Sequence, residues 1–291
     1  MKIFMHWDME GCSGLFEREQ VWYWEPGVRP DVAEAGKQLL IADVNAAVKA
    51  ALAAGADEII VCDTHHGGGN MRLEAMHQDP RVTYHIRSRG VQDGKWRWMP
   101  GLDESVDGLF LLGHHAKSGT PNAFLPHTSR KDWEEFSING QSVGEVGIES
   151  CFAAHFGIPL AMVQSDEAGC REIQEQFPGV VTAAVKRAVN HDLCTGLPPE
   201  EAHALTATKI AEALTKLRAR AFKPYRPALP MDVVVKARTP EIADKIAARP
   251  GVERVNERTV RARVERYCDI MMWIVGTGLD MPAPAAQTAK A

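Results

Sequence analysis

KIFMHWDMEG, residues 2–11, begins with a short apolar run and ends with two carboxylates. A short apolar run that stops at polar residues is typical of a buried β-strand. We therefore predict a strand over residues 2–7 that delivers Asp8 and Glu10 at its carboxyl end. A helix should follow from about Asp31 to Ala54, because apolar residues recur there at helical spacing and Gly55 suits a helix C-terminus.

A second apolar run, EIIVC at residues 58–62, leads directly into Asp63-Thr64-His65-His66. Strand, helix and strand in succession form a βαβ unit, which indicates parallel strands. Further strands are predicted at 108–112, 160–164 and 180–185, a hairpin around Asn139-Gly140, and a helix that begins at Glu145. The sequence therefore predicts an α/β fold with a mainly parallel sheet flanked by helices.

The pattern changes after about residue 190. A long helix at about 199–221 leads to a proline-rich link, an alternating strand, a short helix, another strand and a last apolar helix. We read this part as a smaller C-terminal α+β subdomain. The predicted organisation is a catalytic α/β domain over residues 1–190, the subdomain over 191–280 and a disordered tail over 281–291.

Composition excludes several classes of protein. The chain has 291 residues, 45% of them hydrophobic and 24% charged, which is typical of a globular protein. The net charge of −5 and the lack of a basic block argue against nucleic acid or an anionic membrane as the main partner. No apolar run reaches the roughly 18 residues of a membrane span, and the N-terminus does not resemble a signal peptide, so we expect a cytoplasmic protein. The six scattered cysteines fit buried free thiols better than disulfides.

Five metal-binding side chains follow strand ends or begin a helix: Asp8, Glu10, His65, His115 and Glu145. The carboxyl ends of parallel strands form a common crevice, so these residues can meet there. Asp8 and Glu10 point to the same side of an extended segment, where they would repel each other unless a cation lay between them. Three carboxylates and two imidazoles nearly neutralise two Zn²⁺ ions and leave positions open for water, so we predict two zinc ions per subunit.

Taken singly, each of these residues has a simpler interpretation. Asp8 and Glu10 fit a solvated turn or a helix cap, and His65 fits a hydrogen-bonded loop residue. Glu145 alone fits a carboxylate that the helix dipole favours at an N-terminus. The metal interpretation therefore depends on all of them lying together.

Three further features each admit two interpretations. His66 and His114 each neighbour a predicted ligand and would replace it if the strand register shifted by one residue. The run Gly67–Gly69 invites a phosphate-binding interpretation, but it lacks the lysine and hydroxyl residues of a P-loop, so we favour a mobile loop beside the metals. Trp22 and Trp24 either pack in the interior or form a wall of the substrate pocket.

Four motifs carry a resemblance to a known family, in the same order along the chain. The sequence resembles the D-aminopeptidase family of metallopeptidases over at least residues 1–190, at Asp8-Met9-Glu10-Gly11, Asp63-Thr64-His65, Gly113-His114-His115-Ala116 and Val143-Gly144-Glu145. The resemblance implies that Asp8 bridges two zinc ions. Glu10 and His65 would complete one site, and His115 and Glu145 the other. It also implies a catalytic role for His127, within Leu125-Pro126-His127-Thr128.

The same resemblance implies a substrate and an assembly. Family members act on short peptides with an N-terminal D-amino acid, and they form ring-shaped homo-oligomers whose active sites face an inner cavity. The chain departs from the family pattern at His114, where members often have tyrosine, in the polar residues after His127, and in the aromatic segment 22–24. These departures leave the five predicted ligands in place and bear on the substrate.

Two other functions stay open at this stage. One is a metal-dependent amidohydrolase that acts on a non-peptide small-molecule amide, for which the aromatic segment 22–24 would supply flat walls. The other is a non-catalytic module that binds a phosphate or nucleotide at Gly67–Gly69 and holds no metal. The main prediction is a zinc aminopeptidase, with Trp22 and Trp24 as substrate-binding candidates.

Overall fold

The computed structural model describes residues 1–87, 89–92 and 95–275, so the predicted disordered tail at 281–291 lies outside the described residues. Within the described part of the chain, no helix has the length and apolar character that a bilayer crossing requires. The cytoplasmic location stays a prediction.

The described residues form fourteen strands and seven α-helices. The strands are β1 (Lys2–Trp7), β2 (Glu58–Asp63), β3 (Val82–His85), β4 (Arg89–Gln92), β5 (Lys95–Trp98), β6 (Gly108–Leu112), β7 (Trp133–Ile138), β8 (Gln141–Ser142), β9 (Leu160–Asp166), β10 (Val181–Asn190), β11 (Leu193–Gly196), β12 (Met231–Ala237), β13 (Val252–Arg254) and β14 (Thr259–Val264). The helices are α1 (Arg18–Val21), α2 (Pro30–Ala53), α3 (Glu145–Ala154), α4 (Glu167–Gln176), α5 (Pro199–Arg218), α6 (Pro240–Ala247) and α7 (Met272–Val275).

A seven-stranded sheet forms the centre of the fold, in the order β11-β10-β9-β6-β1-β2-β3. Its strands pair in parallel except for β11, which runs antiparallel to β10. Side chains of β1 alternate between the two faces, as the period of a strand requires. Met5 and Trp7 pack with residues of α2 and α5 on one face, whereas Phe4 belongs to the core on the other face. The predicted α/β class with a mainly parallel sheet is confirmed.

A second sheet shares a hydrophobic core with the face of the large sheet that carries Phe4. Its five strands are antiparallel in the order β13-β14-β12-β7-β8. Trp133 and Phe136 of β7 share one core with Val233 and Val235 of β12. The sheet takes two strands from before residue 190 and three from after it, while β11 and α5 belong with the large sheet. Residue 190 therefore does not separate the two sheets.

Several smaller elements were not predicted from the sequence. They include α1, which lies inside the aromatic loop, and α4, whose N-terminus is capped by the side chain of Asp166. In the last apolar segment, a 3₁₀ segment at Tyr267–Met271 precedes the four residues of α7. All six cysteines are buried free thiols, as predicted.

Candidate metal centre

Three neighbouring strands of the large sheet end beside one another. β1 lies between β2 and β6 and is parallel to both. Asp8 follows β1, His65 follows β2 and His115 follows β6. Glu145 is the first residue of α3, so the start of this helix also reaches the same edge. The order of the strands thus brings four distant parts of the chain together, as expected for a crevice at the carboxyl ends of parallel strands.

Two glycines allow the loops after β1 and β6 to touch. The backbone N–H of Gly11 donates to the carbonyl of Gly113 over 2.6 Å. A Cβ atom on Gly11 would collide with the carbonyl oxygen of His114, and one on Gly113 with that of Asp8. Gly113 also has φ +69°, in the left-handed region that favours glycine. The approach of the two loops therefore depends on residues without a side chain.

Replacing Gly113 by alanine is expected to lower the free energy of unfolding by about 2–6 kcal/mol, because backbone strain and the collision with Asp8 add together. Urea denaturation would measure the loss. Gly140→Ala is the matched control, since Gly140 has φ +79° with no neighbour within 4 Å of the added carbon. Equal losses in both variants would show that the close approach of the loops contributes nothing.

The first group of side chains consists of Asp8, Glu10 and His65, whose ligand atoms lie within 4.8 Å of one another. His65 Nδ1 is 2.7 Å from Asp8 Oδ1 and 3.2 Å from Glu10 Oε2. The other ring nitrogen, Nε2, lies 2.9 Å from the carbonyl oxygen of Val21. A carbonyl only accepts, so Nε2 donates to it and a neutral His65 presents the lone pair of Nδ1 to the two carboxylates.

The second group consists of Asp8, His115 and Glu145, again within 4.8 Å. His115 Nε2 is 3.1 Å from Glu145 Oε1 and 3.6 Å from Asp8 Oδ2, and its Nδ1 donates to the carbonyl of Ala116 over 2.9 Å. Asp8 thus turns Oδ1 toward His65 and Oδ2 toward His115. Its carboxylate lies between the two groups, as a bridging ligand would.

The buried charges of the two groups call for a cation. Asp8 and Glu10 are only 5% and 2% exposed, and burial together with Glu10 raises the pKa of Asp8 to about 6. Among the described residues, Glu10 Oε2 and His115 Nε2 have no hydrogen-bond partner although both are buried. Buried polar atoms are almost always satisfied, so these two atoms are free to bind an ion. Carboxylate oxygens and imidazole nitrogens are a ligand set that suits zinc.

His127 lies beside the second group, in the loop between β6 and β7. Its ring stacks on that of His115, with centroids 3.9 Å apart and planes inclined by 12°. Nδ1 donates to the carbonyl of Leu125 over 3.0 Å, which leaves Nε2 facing Glu145 Oε1 at 3.7 Å. Burial and the neighbouring His115 lower the pKa of His127 to about 4. The imidazole is therefore neutral near pH 7 and carries a lone pair on the side of the site.

The two predicted aromatic residues occupy different positions. Trp22 is buried and donates its indole N–H to Glu10 Oε1 over 2.7 Å, with the Lys131 ammonium 4.4 Å from the ring centroid. Trp24 is 37% exposed and stacks on His66 at 4.1 Å. Both line a cavity of about 730 Å³, together with Asp8, Glu10, His65 and Glu145 of the two groups. Trp22 thus holds a candidate ligand, whereas Trp24 offers an open aromatic surface.

The structure places His65 and His115 in the two groups rather than their neighbours. His66 has φ +51° and stacks on Trp24 instead. His114 contacts Glu149, which belongs to neither of the two groups. The structure thus brings His65 and His115, and not His66 or His114, close to the carboxylates of the two groups.

The glycine run beside His65 is a tightly held loop. The carboxylate of Asp63 accepts hydrogen bonds from the backbone N–H groups of Asn70 and Met71, over 2.6 and 3.1 Å. The side chain of Asn70 donates to Asp63 and to the carbonyl of His65. These hydrogen bonds hold His65 in position, which the glycine-rich sequence of the loop does not predict.

Comparison with known proteins places this geometry in a family. The family model described as D-aminopeptidase matches residues 1–275. The chain belongs to the D-aminopeptidase family. A curated D-aminopeptidase from Bacillus subtilis strain 168 is 31% identical over 214 residues, which cover 74% of each chain. The predicted family is thereby confirmed.

A solved structure of a D-aminopeptidase has the same fold. It is that of DppA from Bacillus subtilis, named as a zinc-dependent D-aminopeptidase and a self-compartmentalizing protease. The two structures align with a TM-score of 0.84 at 27% sequence identity, over 94% of this chain and 95% of DppA. The likeness therefore spans both sheets, including the C-terminal part that the sequence motifs did not reach.

Proposed function

We propose that this protein is a dinuclear zinc aminopeptidase that removes N-terminal D-amino acids from short peptides. The observation that carries the proposal is the pair of ligand groups that share the carboxylate of Asp8. Membership of the D-aminopeptidase family supports the reaction, and the zinc dependence of DppA supports the metal.

The proposed ligands divide into two sets around Asp8. Glu10 Oε2 and His65 Nδ1 would hold one zinc ion, and His115 Nε2 and Glu145 would hold the other. Zinc ions at such a site supply Lewis acidity, which polarises a substrate carbonyl and lowers the pKa of a bound water to about 7. The protein contributes the fixed positions of these five side chains and the hydrogen bonds that hold their outer atoms.

His127 is the proposed proton carrier. Its Nε2 is unprotonated near pH 7 and faces the site, so it can take the proton that the attacking water loses as the new C–O bond forms. The same nitrogen then gives that proton to the leaving amine nitrogen as the C–N bond breaks. The hydrogen bond from Nδ1 to Leu125 keeps the ring in the tautomer that this transfer requires.

A panel of substrates tests the proposed reaction. D-alanyl dipeptides should be turned over by the zinc-loaded protein with kcat/KM at least about 100-fold above their L-counterparts, an energy difference of about 3 kcal/mol. Liquid chromatography of the released amino acid would measure it. Equal turnover of both enantiomers, or none of either, would contradict the proposal.

A second candidate substrate is a non-peptide amide, which the open ring of Trp24 stacked on His66 favours. Aryl amides without an α-amino group belong in the same panel. Turnover confined to them would establish this second candidate. A phosphate-binding module has less support, since the family is enzymatic and the glycine loop is held by Asp63.

We also propose that the protein assembles into a ring-shaped homo-oligomer. The support is its likeness to DppA, which is named as self-compartmentalizing. Light scattering coupled to gel filtration should give the mass of several chains, and negative-stain electron microscopy should show rings. A particle with the mass of one chain would contradict the proposal.

Replacing Trp22 by phenylalanine is expected to weaken zinc binding by about 10–100-fold, because the indole N–H holds Glu10 Oε1 and so orients Oε2 toward the ion. Competition with a fluorescent chelator would measure the affinity. Trp24→Phe is the matched control, since Trp24 stacks on His66 and its variant should bind zinc as the wild type does. An unchanged affinity in Trp22→Phe would show that the hydrogen bond has no such role.

A further inference from the structure

A second buried cluster lies behind the candidate metal centre and contains none of its five proposed ligands. It consists of His6, His114 and Glu149, which are 0%, 0% and 1% exposed. His6 Nδ1 and His114 Nε2 lie 3.0 and 2.9 Å from the same oxygen, Glu149 Oε2. One ligand atom from each residue lies within 4.8 Å of the other two.

His114 has the ring orientation of a metal ligand. Its Nδ1 lies 3.2 Å from the carbonyl oxygen of Leu112 and donates to it. Its Nε2 donates to Glu149 Oε2 over 2.9 Å, so a metal ion there would take the place of the Nε2 proton and bind the lone pair of that nitrogen. His115 shows the same arrangement, with Nδ1 bonded to a backbone carbonyl and Nε2 toward Glu145. Metal-binding histidines characteristically donate their other N–H group to a carbonyl or carboxylate in this way.

His6 supplies the second, independent observation. Its contact of 3.0 Å with Glu149 lacks the direction of a hydrogen bond, and among the described residues neither ring nitrogen has a hydrogen-bond partner. The contact between His115 and Glu145, at 3.1 Å, has the same character. Two ligands of one zinc ion behave like this, because their lone pairs converge on the ion and not on each other. With zinc–ligand bonds of about 2.0–2.1 Å, tetrahedral ligand atoms lie roughly 3.3 Å apart.

We propose that His6, His114 and Glu149 bind a third zinc ion, which is structural. Two imidazole nitrogens favour zinc over calcium or magnesium, which prefer oxygen ligands. The rings of Phe4 and Trp98 each lie 6.0 Å from that of His6, so the surroundings are apolar and the ion would exchange slowly.

The position of this third site suits a structural role beside the dinuclear centre. His6 lies in the strand that delivers Asp8, His114 precedes His115, and Glu149 is one helical turn beyond Glu145 in α3. An ion held there would join the strand, the loop and the helix that carry three of the five ligands of the dinuclear centre. It would fix the distances between them without contacting substrate.

Counting zinc ions tests the proposal. The full chain, loaded with Zn²⁺ and passed through a desalting column, should retain three ions per chain by inductively coupled plasma mass spectrometry. Glu149→Gln, of nearly the same size, and His6→Phe should each retain two. Asp8→Ala should retain one, because it removes the shared ligand of the dinuclear centre and leaves the third site intact. Crystals of the wild type should show an anomalous zinc peak between His6 and Glu149.

The matched control is His203→Gln. His203 pairs with the buried carboxylate of Asp43 over 2.8 Å, but it belongs to no cluster of candidate ligands among the described residues, so this variant should retain three ions. Two ions in the wild type and none in Asp8→Ala would overturn the third site and leave the dinuclear centre supported. His6, His114 and Glu149 would then form an ion pair between imidazolium and carboxylate. One ion in the wild type and none in Glu149→Gln would instead overturn the dinuclear centre. If a variant fails to fold, the positions of the anomalous zinc peaks in wild-type crystals identify which sites are occupied, and the lack of a peak between His6 and Glu149 would overturn the third site.

Discussion

Replacing Asp8 by alanine is expected to lower kcat/KM for D-alanyl dipeptides by more than about 1000-fold, since the loss of metal activation costs several kcal/mol. Asp8 turns one oxygen toward each ligand group, so one substitution should release both zinc ions of the dinuclear centre. Steady-state kinetics and zinc content of the same preparation would measure the two effects together.

The control for this variant is Asp79→Ala. Asp79 is a partly exposed carboxylate that pairs with Arg81 over 2.8 Å and belongs to no group of candidate ligands among the described residues. Its variant should keep both the activity and the zinc content of the wild type. An Asp8→Ala protein that retained all its zinc and turned over substrate normally would show that Asp8 does not bridge the ions.

The second large effect is expected at His127. His127→Ala should lower kcat by about 10²–10⁴-fold, the usual contribution of a positioned acid or base, while zinc content stays unchanged. The reason is that Nε2 faces the site, whereas the ring is stacked on His115 and need not ligate the metal. Pre-steady-state and steady-state rates, measured with metal analysis, would separate the two roles.

The zinc content of His127→Ala shows whether His127 is a metal ligand or a proton carrier. Both roles need testing because Glu10, His115 and His127 also lie close enough to form a ligand group of their own. Loss of an ion from this variant would identify His127 as a ligand and contradict its role as a proton carrier. His191→Ala is the control, since His191 is an exposed histidine that pairs with Asp192. It should leave both zinc content and kcat unchanged.

The parts of the fold that local patterns determine could be predicted from the sequence. β1 and β6 have the predicted bounds, because an apolar run with polar ends specifies a buried strand over a few residues. The start of α3 at Glu145 was also predicted, and a carboxylate there is favoured by the helix dipole. The five candidate ligands could be found because parallel strands place their carboxyl ends at one edge.

Features that depend on contacts between distant segments could not be predicted in this way. The hairpin of β7 and β8 pairs with β12, about a hundred residues later, and nothing in the hairpin sequence specifies that partner. The hydrogen bond from Trp22 to Glu10 depends on how the aromatic loop folds back over β1. The contact between His6 and Glu149, which lie about 140 residues apart in the chain, likewise emerges only in three dimensions.

Diffraction at the zinc absorption edge from zinc-loaded crystals tests the dinuclear centre most directly. The anomalous map should contain two peaks that share the carboxylate of Asp8. One peak should be bound by Glu10 and His65, and the other by His115 and Glu145. A map without a peak at Asp8, in crystals that hold zinc elsewhere, would contradict the assignment of these five residues as the ligands.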